Sequence, residues 1–312
     1  MRLIRKTALS LMTFVGIMAL TFTLLHIVPG GPFDQERQLP PEIKANLYVK
    51  YHLEPKGELS FTKWMIIEFK NYGSLLKSGT LGPSLKHPNQ DVSPILLRAL
   101  TPSLVLGLGA LLLSLMGGMA CGLTLSYFDP SLLSRIIRPL LSLFMTLPQF
   151  VWAALLVTLF SFSLKIFPPA LWEGPRFWIL PTVILALTPL SFLTLITFEA
   201  VQKEKNQDYI KAARAKGLRL RTVYLKHILK NAFFSLLAFI GPITANLLTG
   251  SFIVENLFAI PGLGRHFVTG ILDRDYFLVM GAIMIYSLLL IAINLITESL
   301  ASLFDPRVKS HE

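Results

Sequence analysis

The densest run of ionisable side chains in this 312-residue chain lies between Gln202 and Asn231. Nine Lys and Arg residues stand there against Glu204 and Asp208. Such a run can bind an anionic lipid surface or the face of another protein. Residue patterns that could break bonds are missing. The chain has no HExxH, no GxSxG and no Gly-x4-Gly-Lys-Ser/Thr phosphate loop. A CxxC pair is impossible, because Cys121 is the only cysteine. Gly262-Leu263-Gly264 lacks the third glycine of a dinucleotide fingerprint and follows no strand pattern. The six histidines are scattered, which gives a metal cluster no support. The chain is therefore not read as an enzyme, and no cofactor or metal is expected in it.

The basic run must be held in water. One charge at the centre of a bilayer costs roughly 2.5–3.5 kcal/mol on insertion scales. The rest of the chain is different, with 53% hydrophobic and only 15% charged residues overall. Six stretches contain no Asp, Glu, Lys or Arg: 7–33, 99–128, 139–164, 177–198, 231–254 and 276–297. The shortest has 22 residues, which as a helix spans about 33 Å, enough for a hydrocarbon core of about 30 Å. The fold class expected is an all-α integral membrane protein with six transmembrane helices.

The net charge of +11 could by itself point to nucleic acid or to anionic lipid. Its distribution excludes nucleic acid and orients the helices. With the N-terminus inside, segments 1–6, 129–138, 199–230 and the tail after Glu298 hold 16 of the 29 Lys and Arg residues. The short outer loops 165–176 and 255–275 hold two each. The long segment 29–98 holds nine, but long translocated segments largely escape the positive-inside rule. Both termini are expected in the cytoplasm. Arg2, Arg5 and Lys6 before an apolar run resemble a signal peptide, yet no cleavage site follows, and an uncleaved first helix is expected. The domain reading is a first helix over 1–28, an extracytoplasmic insert over 29–98, a transmembrane core over 99–305 and a tail over 306–312.

Within the basic run the local pattern is helix, break, helix. Asn206 or Asp208 is suited to cap a helix starting near Tyr209. Tyr209, Ala212, Ala213 and Lys216 share one face, and the alanine pair leaves a surface another protein can approach. Arg214 and Lys216 suit the negative end of the helix dipole. Gly217 sits where a left-handed terminating residue is wanted, and Leu218 follows it. A second helix starts near Arg219.

The pattern Asp208-Tyr209-Ile210-Lys211-Ala212-Ala213-Arg214-Ala215-Lys216-Gly217-Leu218 resembles the "EAA" loop of binding-protein-dependent ABC importer permeases. The likeness continues in His227-x-Leu229-Lys230-Asn231-Ala232 and is closest to the peptide-transporter branch. The general motif begins with Glu where this chain has Lys211, so the ionic role of that Glu is not carried over. Pro29-Gly30-Gly31-Pro32-Phe33, Glu36-Arg37, Leu39-Pro40-Pro41-Glu42, Lys50-Tyr51-His52-Leu53, Gly79–Leu85 and Phe304-Asp305-Pro306-Arg307 are similar to the oligopeptide, B-type subunits of that branch. Ile260, Pro261, Gly262, Leu263 and Gly264 look like the loop such permeases turn toward their binding protein.

The remaining features carry open readings. His26 at the end of the first helix reads as an interfacial residue. Phe61, Trp64, Met65, Phe69 and Tyr72 share a helical face that lies on the membrane or packs on the bundle. Gly118 and Gly122 have the spacing of close helix packing. Pro148-Gln149 inside the third apolar run, with Asn246 and Thr249 in the fifth, are either pore-facing groups or helix-to-helix hydrogen bonds. The outer loop 163–177, rich in Pro, Trp and Phe, suits an interface that a docked protein could touch.

The resemblance implies the type-I ABC importer permease fold and a place in a bacterial inner membrane. It implies half of a heterodimeric pore, completed by a second permease subunit. Two cytoplasmic ABC ATPases, where ATP and Mg would bind, would drive it, and an extracytoplasmic binding protein would deliver oligopeptides. In that reading residues 202–231 dock the ATPase. The rivals are the same machinery carrying dipeptides, nickel complexes or cell-wall peptides, and a passive channel or secondary transporter. Ion-coupled transporters place paired ionisable groups at mid-membrane, and these helix interiors offer mainly Gln149, Asn246 and Asn294.

Overall fold

A computed structural model describes residues 2–27, 33, 41–51, 53 and 61–304. The family-like residues at 29–32, 36–37, 39–40, 52 and 305–307, and the tail from 306, lie outside the described residues. Among the described residues every regular element is a helix, and one isolated bridge joins Pro83 and Asp91. Five described stretches are long and apolar enough to cross a membrane: Thr7–Ile27, Val92–Tyr127, Pro175–Lys205, Leu236–Leu257 and Tyr276–Thr297. A bent pair, Leu132–Thr146 with Gln149–Ser163, supplies a sixth when counted as one span.

Two compact units divide the chain. The first takes residues 1–103 and 261–291. It contains α1 (Arg2–Ile27), α2 (Pro41–Lys50), α3 (Phe61–Lys77) and α12 (Leu263–Leu272). Helix α3 packs on its apolar face: Trp64 and Tyr72 are buried, and Phe69 meets the Phe22 ring edge-on at 5.5 Å. His26 is not interfacial. It is 3% exposed, its Nδ1 lies 2.7 Å from the Phe22 carbonyl oxygen, and the Phe22, Trp64 and Tyr276 rings surround it at 4.1–5.0 Å. A soft aromatic box stabilises an imidazole that a wet interface would leave exposed.

The same unit holds the start of α13 (Tyr276–Phe304), which Asp275 caps. One Asp275 oxygen accepts from the Leu278 N–H at 3.1 Å. The other accepts from the Ser84 hydroxyl at 2.5 Å and the Leu85 N–H at 3.0 Å. A fully buried carboxylate is tolerated because each oxygen meets donors.

The second unit takes residues 104–260 and 292–312. Its central element is α7 (Pro175–Lys205), packed by α5 (Leu132–Thr146), α6 (Gln149–Val157) and α10 (Leu229–Leu248). Helix α4 (Val92–Tyr127) reaches α7 through its small residues. A Cβ at Gly118 would lie 2.9 Å from the Leu190 carbonyl, and one at Gly122 2.6 Å from the Thr194 carbonyl. The expected close packing is found.

Two boundaries differ from expectation. Helix α4 begins at Val92, not at 99. The third apolar run, 139–164, is not one kinked helix. Helix α5 starts at Leu132 and takes Arg135 and Arg138 into its length, and the chain then turns by 108° before α6. Pro148 lacks an N–H and forces Leu147 into the extended region, φ −78° and ψ 136°, which ends the helix. Arg138 gains a partner by being helical, with its guanidinium 5.0 Å from the Phe198 ring centre. After α6 the chain widens into a π-helical segment, Thr158–Ser163.

Candidate functional site

The basic run folds as α8 (Asp208–Ala215), then α9 (Leu220–Val223), a π-helical segment Tyr224–Ile228, and α10. The residue before α8 is Gln207, extended and without a side-chain cap bond, so neither Asn206 nor Asp208 is the cap. Asp208 stands in the first turn, where its charge suits the helix dipole. At the other end Gly217 has φ +80°, and its N–H donates to the Arg214 carbonyl at 2.9 Å. The Leu218 N–H donates to the Ala213 carbonyl at 3.3 Å, completing a Schellman stop. A Cβ at Gly217 would meet nothing within 4 Å. The positive φ is what asks for glycine here.

The faces of α8 divide differently from the expected stripe. Ile210 is buried on Val201, Val223, Tyr224 and Ile228, and Ala213 packs partly against that cluster. Tyr209, Ala212, Arg214, Lys216, Gly217 and Leu218 are exposed. The alanine pair is split, with Ala212 outward and Ala213 inward, because the two lie about 100° apart around the helix. Lys211 Nζ lies 2.8 Å from Asp208, at side-chain exposures of 69% and 96%. A pair that exposed contributes little to stability, but it orients both groups along the free face.

Hydrogen bonds brace this short helix on several sides. The Tyr209 hydroxyl donates to Glu204 at the end of α7 and accepts from Asn231 Nδ2 of α10 at 2.8 Å. Beneath it, the Tyr224 hydroxyl donates to the Leu123 carbonyl of α4 at 3.0 Å. Burial pushes the Tyr224 phenol above its usual range, so it stays a donor. Lys205 Nζ donates to the Ser126 carbonyl and lies 5.6 Å from the Tyr224 ring centre. Gln202 Nε2 donates to Asp129 at 2.7 Å, whose other oxygen accepts from Ser134 of α5 at 2.9 Å. Tyr209 thus ties α8 directly to α7 and α10, and the remaining bonds link α7 and the Tyr224 segment onward to α4 and α5. Sequence reading passed over Asp129, Tyr224 and Asn231 as site groups. Nothing in the spacing marks Tyr224.

The segment 260–264 is not a free loop. Ile260 is buried in the core of the second unit. Gly262 caps α12, and Leu263 is buried with its N–H donating to Ser103 Oγ at 2.9 Å. Gly264 is buried, and Pro261 is exposed. Of the polar groups expected near a pore, Gln149 accepts from Ser251 Oγ at 3.0 Å, and Ser251 also caps α11 (Phe252–Leu257). Thr249 turns its hydroxyl back onto the Ala245 and Asn246 carbonyls, both at 3.0 Å. Asn246 is exposed. No group of three or more His, Cys, Asp or Glu positioned for a metal occurs among the described residues.

Residues 114–310 match the family described as binding-protein-dependent transport system inner membrane component, and that stretch contains α8 and all of its braces. The chain belongs to this family. It is 34% identical to the dipeptide transport system permease protein DppB of Bacillus subtilis, over 96% of this chain and 95% of that one. It is 31% identical to the oligopeptide transport system permease protein OppB of Escherichia coli K12, over 98% of each. The fold is similar to a solved chain of the inward-facing MetNI methionine ABC transporter, with a TM-score of 0.57 and 16% identity. That likeness covers 68% of this chain and 96% of the other. The importer permease fold expected from the basic run is the fold found. As an inner membrane component of a binding-protein-dependent system, the permease is a multi-pass transport subunit, not an enzyme, and works with the system's other components.

Proposed function

We propose that this permease is half of the translocation pore of an ATP-driven oligopeptide importer, and that α8 is where a cytoplasmic ABC ATPase docks. The observation that carries the reading is the exposed face of α8, bonded through Tyr209 to α7 and α10, which are in turn bonded to their neighbours. A partner that moves α8 moves the helices with it. Ala212 leaves room for close approach, and Arg214, Lys216 and the Asp208–Lys211 pair supply polar contacts. A second permease subunit completes the pore, and a second ATPase docks on that subunit. ATP and Mg bind in the ATPases. An extracytoplasmic binding protein delivers the peptide. Pro261 is the residue of the 260–264 segment that offers it a surface, while its neighbours hold the chain in position. Gln149, Asn246 and Thr249 are our candidates for polar groups along the path. The names of the two relatives, one dipeptide and one oligopeptide, support peptide cargo, and uptake competition between labelled peptides of different lengths decides the length.

Coupling requires that ATP and ligand each favour one of two states. Replacing Ala212 by Arg puts a long side chain on the docking face and leaves the buried side of α8 untouched. We expect peptide-stimulated ATP hydrolysis by the reconstituted transporter to fall at least about tenfold, the effect of roughly 1.4 kcal/mol of lost interaction. Membrane insertion and pairing with the second permease should be retained. Wild-type uptake and hydrolysis in that variant would remove α8 from the docking role.

A further inference from the structure

The last turn of α7 is held from three sides. Glu204 accepts from the Tyr209 hydroxyl of α8. Lys205 Nζ donates to the Ser126 carbonyl near the end of α4. Gln202 Nε2 donates to Asp129 Oδ2 at 2.7 Å. Asp129 lies in the turn between α4 and α5, and its Oδ1 accepts from the Ser134 hydroxyl at 2.9 Å. Ser134 is 1% exposed and belongs to the cap of α5: the Ser131 N–H donates to its hydroxyl at 3.3 Å, and its own N–H donates to the Ser131 hydroxyl at 3.2 Å. One Asp129 oxygen is therefore bonded to α7 and the other to the first turn of α5.

Farther along, α5 meets α7 mostly through apolar side chains. Leu141 and Phe198 are buried together, with Ile137, Phe144 and Leu195 packed against them. Apolar attraction is non-directional, and helices packed this way slide past one another in small shears. A charge-assisted hydrogen bond is short and directional, so the Asp129 clasp fixes what the apolar contact leaves free. The 15 residues of α5 span about 22 Å. The clasp stands at one end of them. At the other, the chain turns by 108° into α6, which Gln149 opens.

We propose that Asp129 is a positioning residue for transport. It locks α5 to the last turn of α7, so that a displacement delivered to that turn through Tyr209 and Glu204 is passed along α5 to the bend before Gln149. This rests on the reading of α8 as the docking helix. With the clasp broken, α7 shears along α5, and ATP is hydrolysed without the bend moving in step.

The test uses the whole transporter, purified with its co-expressed components and reconstituted in proteoliposomes with the binding protein and a labelled peptide. ATP hydrolysis and peptide uptake are read on the same vesicles. Gln202→Glu sets a carboxylate against Asp129 and breaks the clasp. Peptide taken up per ATP should fall at least about fivefold, the low end of coupling between sites. Hydrolysis and co-purification with the ATPase should stay near the wild-type level. Adding Asp129→Asn to Gln202→Glu should restore the ratio, because the new amide donates to the new carboxylate and the bond re-forms with its polarity reversed. Gln202→Leu removes the donor without adding charge and should lower the ratio as Gln202→Glu does. The proposal is overturned if the Gln202 variants keep the wild-type ratio, or if the double variant does not recover it. It is also overturned if hydrolysis falls in step with uptake, since the clasp would then serve docking or folding. Should Gln202→Glu fail to assemble, Gln202→Leu decides alone. Ala212→Arg keeps the two readings apart: it lowers hydrolysis and uptake together if α8 docks the ATPase, and neither if it does not.

Discussion

His266 sits half-buried in α12, where a proton is unwelcome. Burial pushes its imidazole below the usual value, and His87 and Arg265 push in the same direction. An unfolded His titrates near about 6.5, so on acidification the unfolded chain takes up a proton that the folded chain resists. Stability from this residue is full above the unfolded value and declines as pH falls through and below it. The melting temperature of the detergent-solubilised protein should drop between pH 7.5 and 5.5, and His266→Gln should flatten that drop. An unchanged slope in the variant would assign the acid sensitivity to other groups. Asp275, in the turn that follows α12, shows the opposite use of charge. It is ionisable and fully buried, yet its oxygens are taken by the start of α13 and by the 84–85 backbone and hydroxyl. Its chemistry is structural.

At the scale of elements, the contact between α4 and α7 depends on bare backbone. Gly118 and Gly122 face carbonyls and β-carbons of Leu190, Leu193, Thr194 and Thr197, which cannot swing aside as a flexible side chain would. Gly117 faces the end of the Leu190 side chain, with Cδ1 at 3.2 Å. Gly122→Val should destabilise the second unit by about 1–3 kcal/mol through overpacking, while Gly117→Ala should have a much smaller effect. Melting of the two variants in the same detergent checks the contrast, and equal melting temperatures would refute the close-packing account. The same contact explains why α8 is well anchored. Both α4 and α7 continue beyond the span of a bilayer, at 36 and 31 residues, and it is their ends that hold Tyr224, Lys205 and Gln202.

For the whole molecule, the proposed topology has α8 inside the cell and Pro261 outside. Both Lys216 and Pro261 are exposed, so each suits a single reporter cysteine once the exposed Cys121 is replaced by Ser. A membrane-impermeant maleimide added to intact spheroplasts should label Pro261→Cys and should label Lys216→Cys only after lysis. The reverse pattern would invert the topology and remove α8 from reach of a cytoplasmic ATPase.

Composition and charge periodicity were enough to determine a multi-pass helical membrane protein, because lipid penalises charge and unpaired backbone so heavily that spans announce themselves. The break at Gly217 and the packing at Gly118 and Gly122 were equally legible, since each is a local backbone requirement. The 108° turn at Pro148 was not, because a proline marks a disruption without fixing its angle. Nor could sequence place His26 in an aromatic box, turn Ala213 inward while Ala212 faces out, or bury Ile260 and Leu263. Those outcomes depend on which helices arrive from elsewhere in the chain. The site itself follows the same division. The exposed residues of α8 were visible as a motif, whereas Asp129, Tyr224 and Asn231, which brace the proposed docking helix and its neighbours, meet only when α4, α7 and α10 are brought together beneath it.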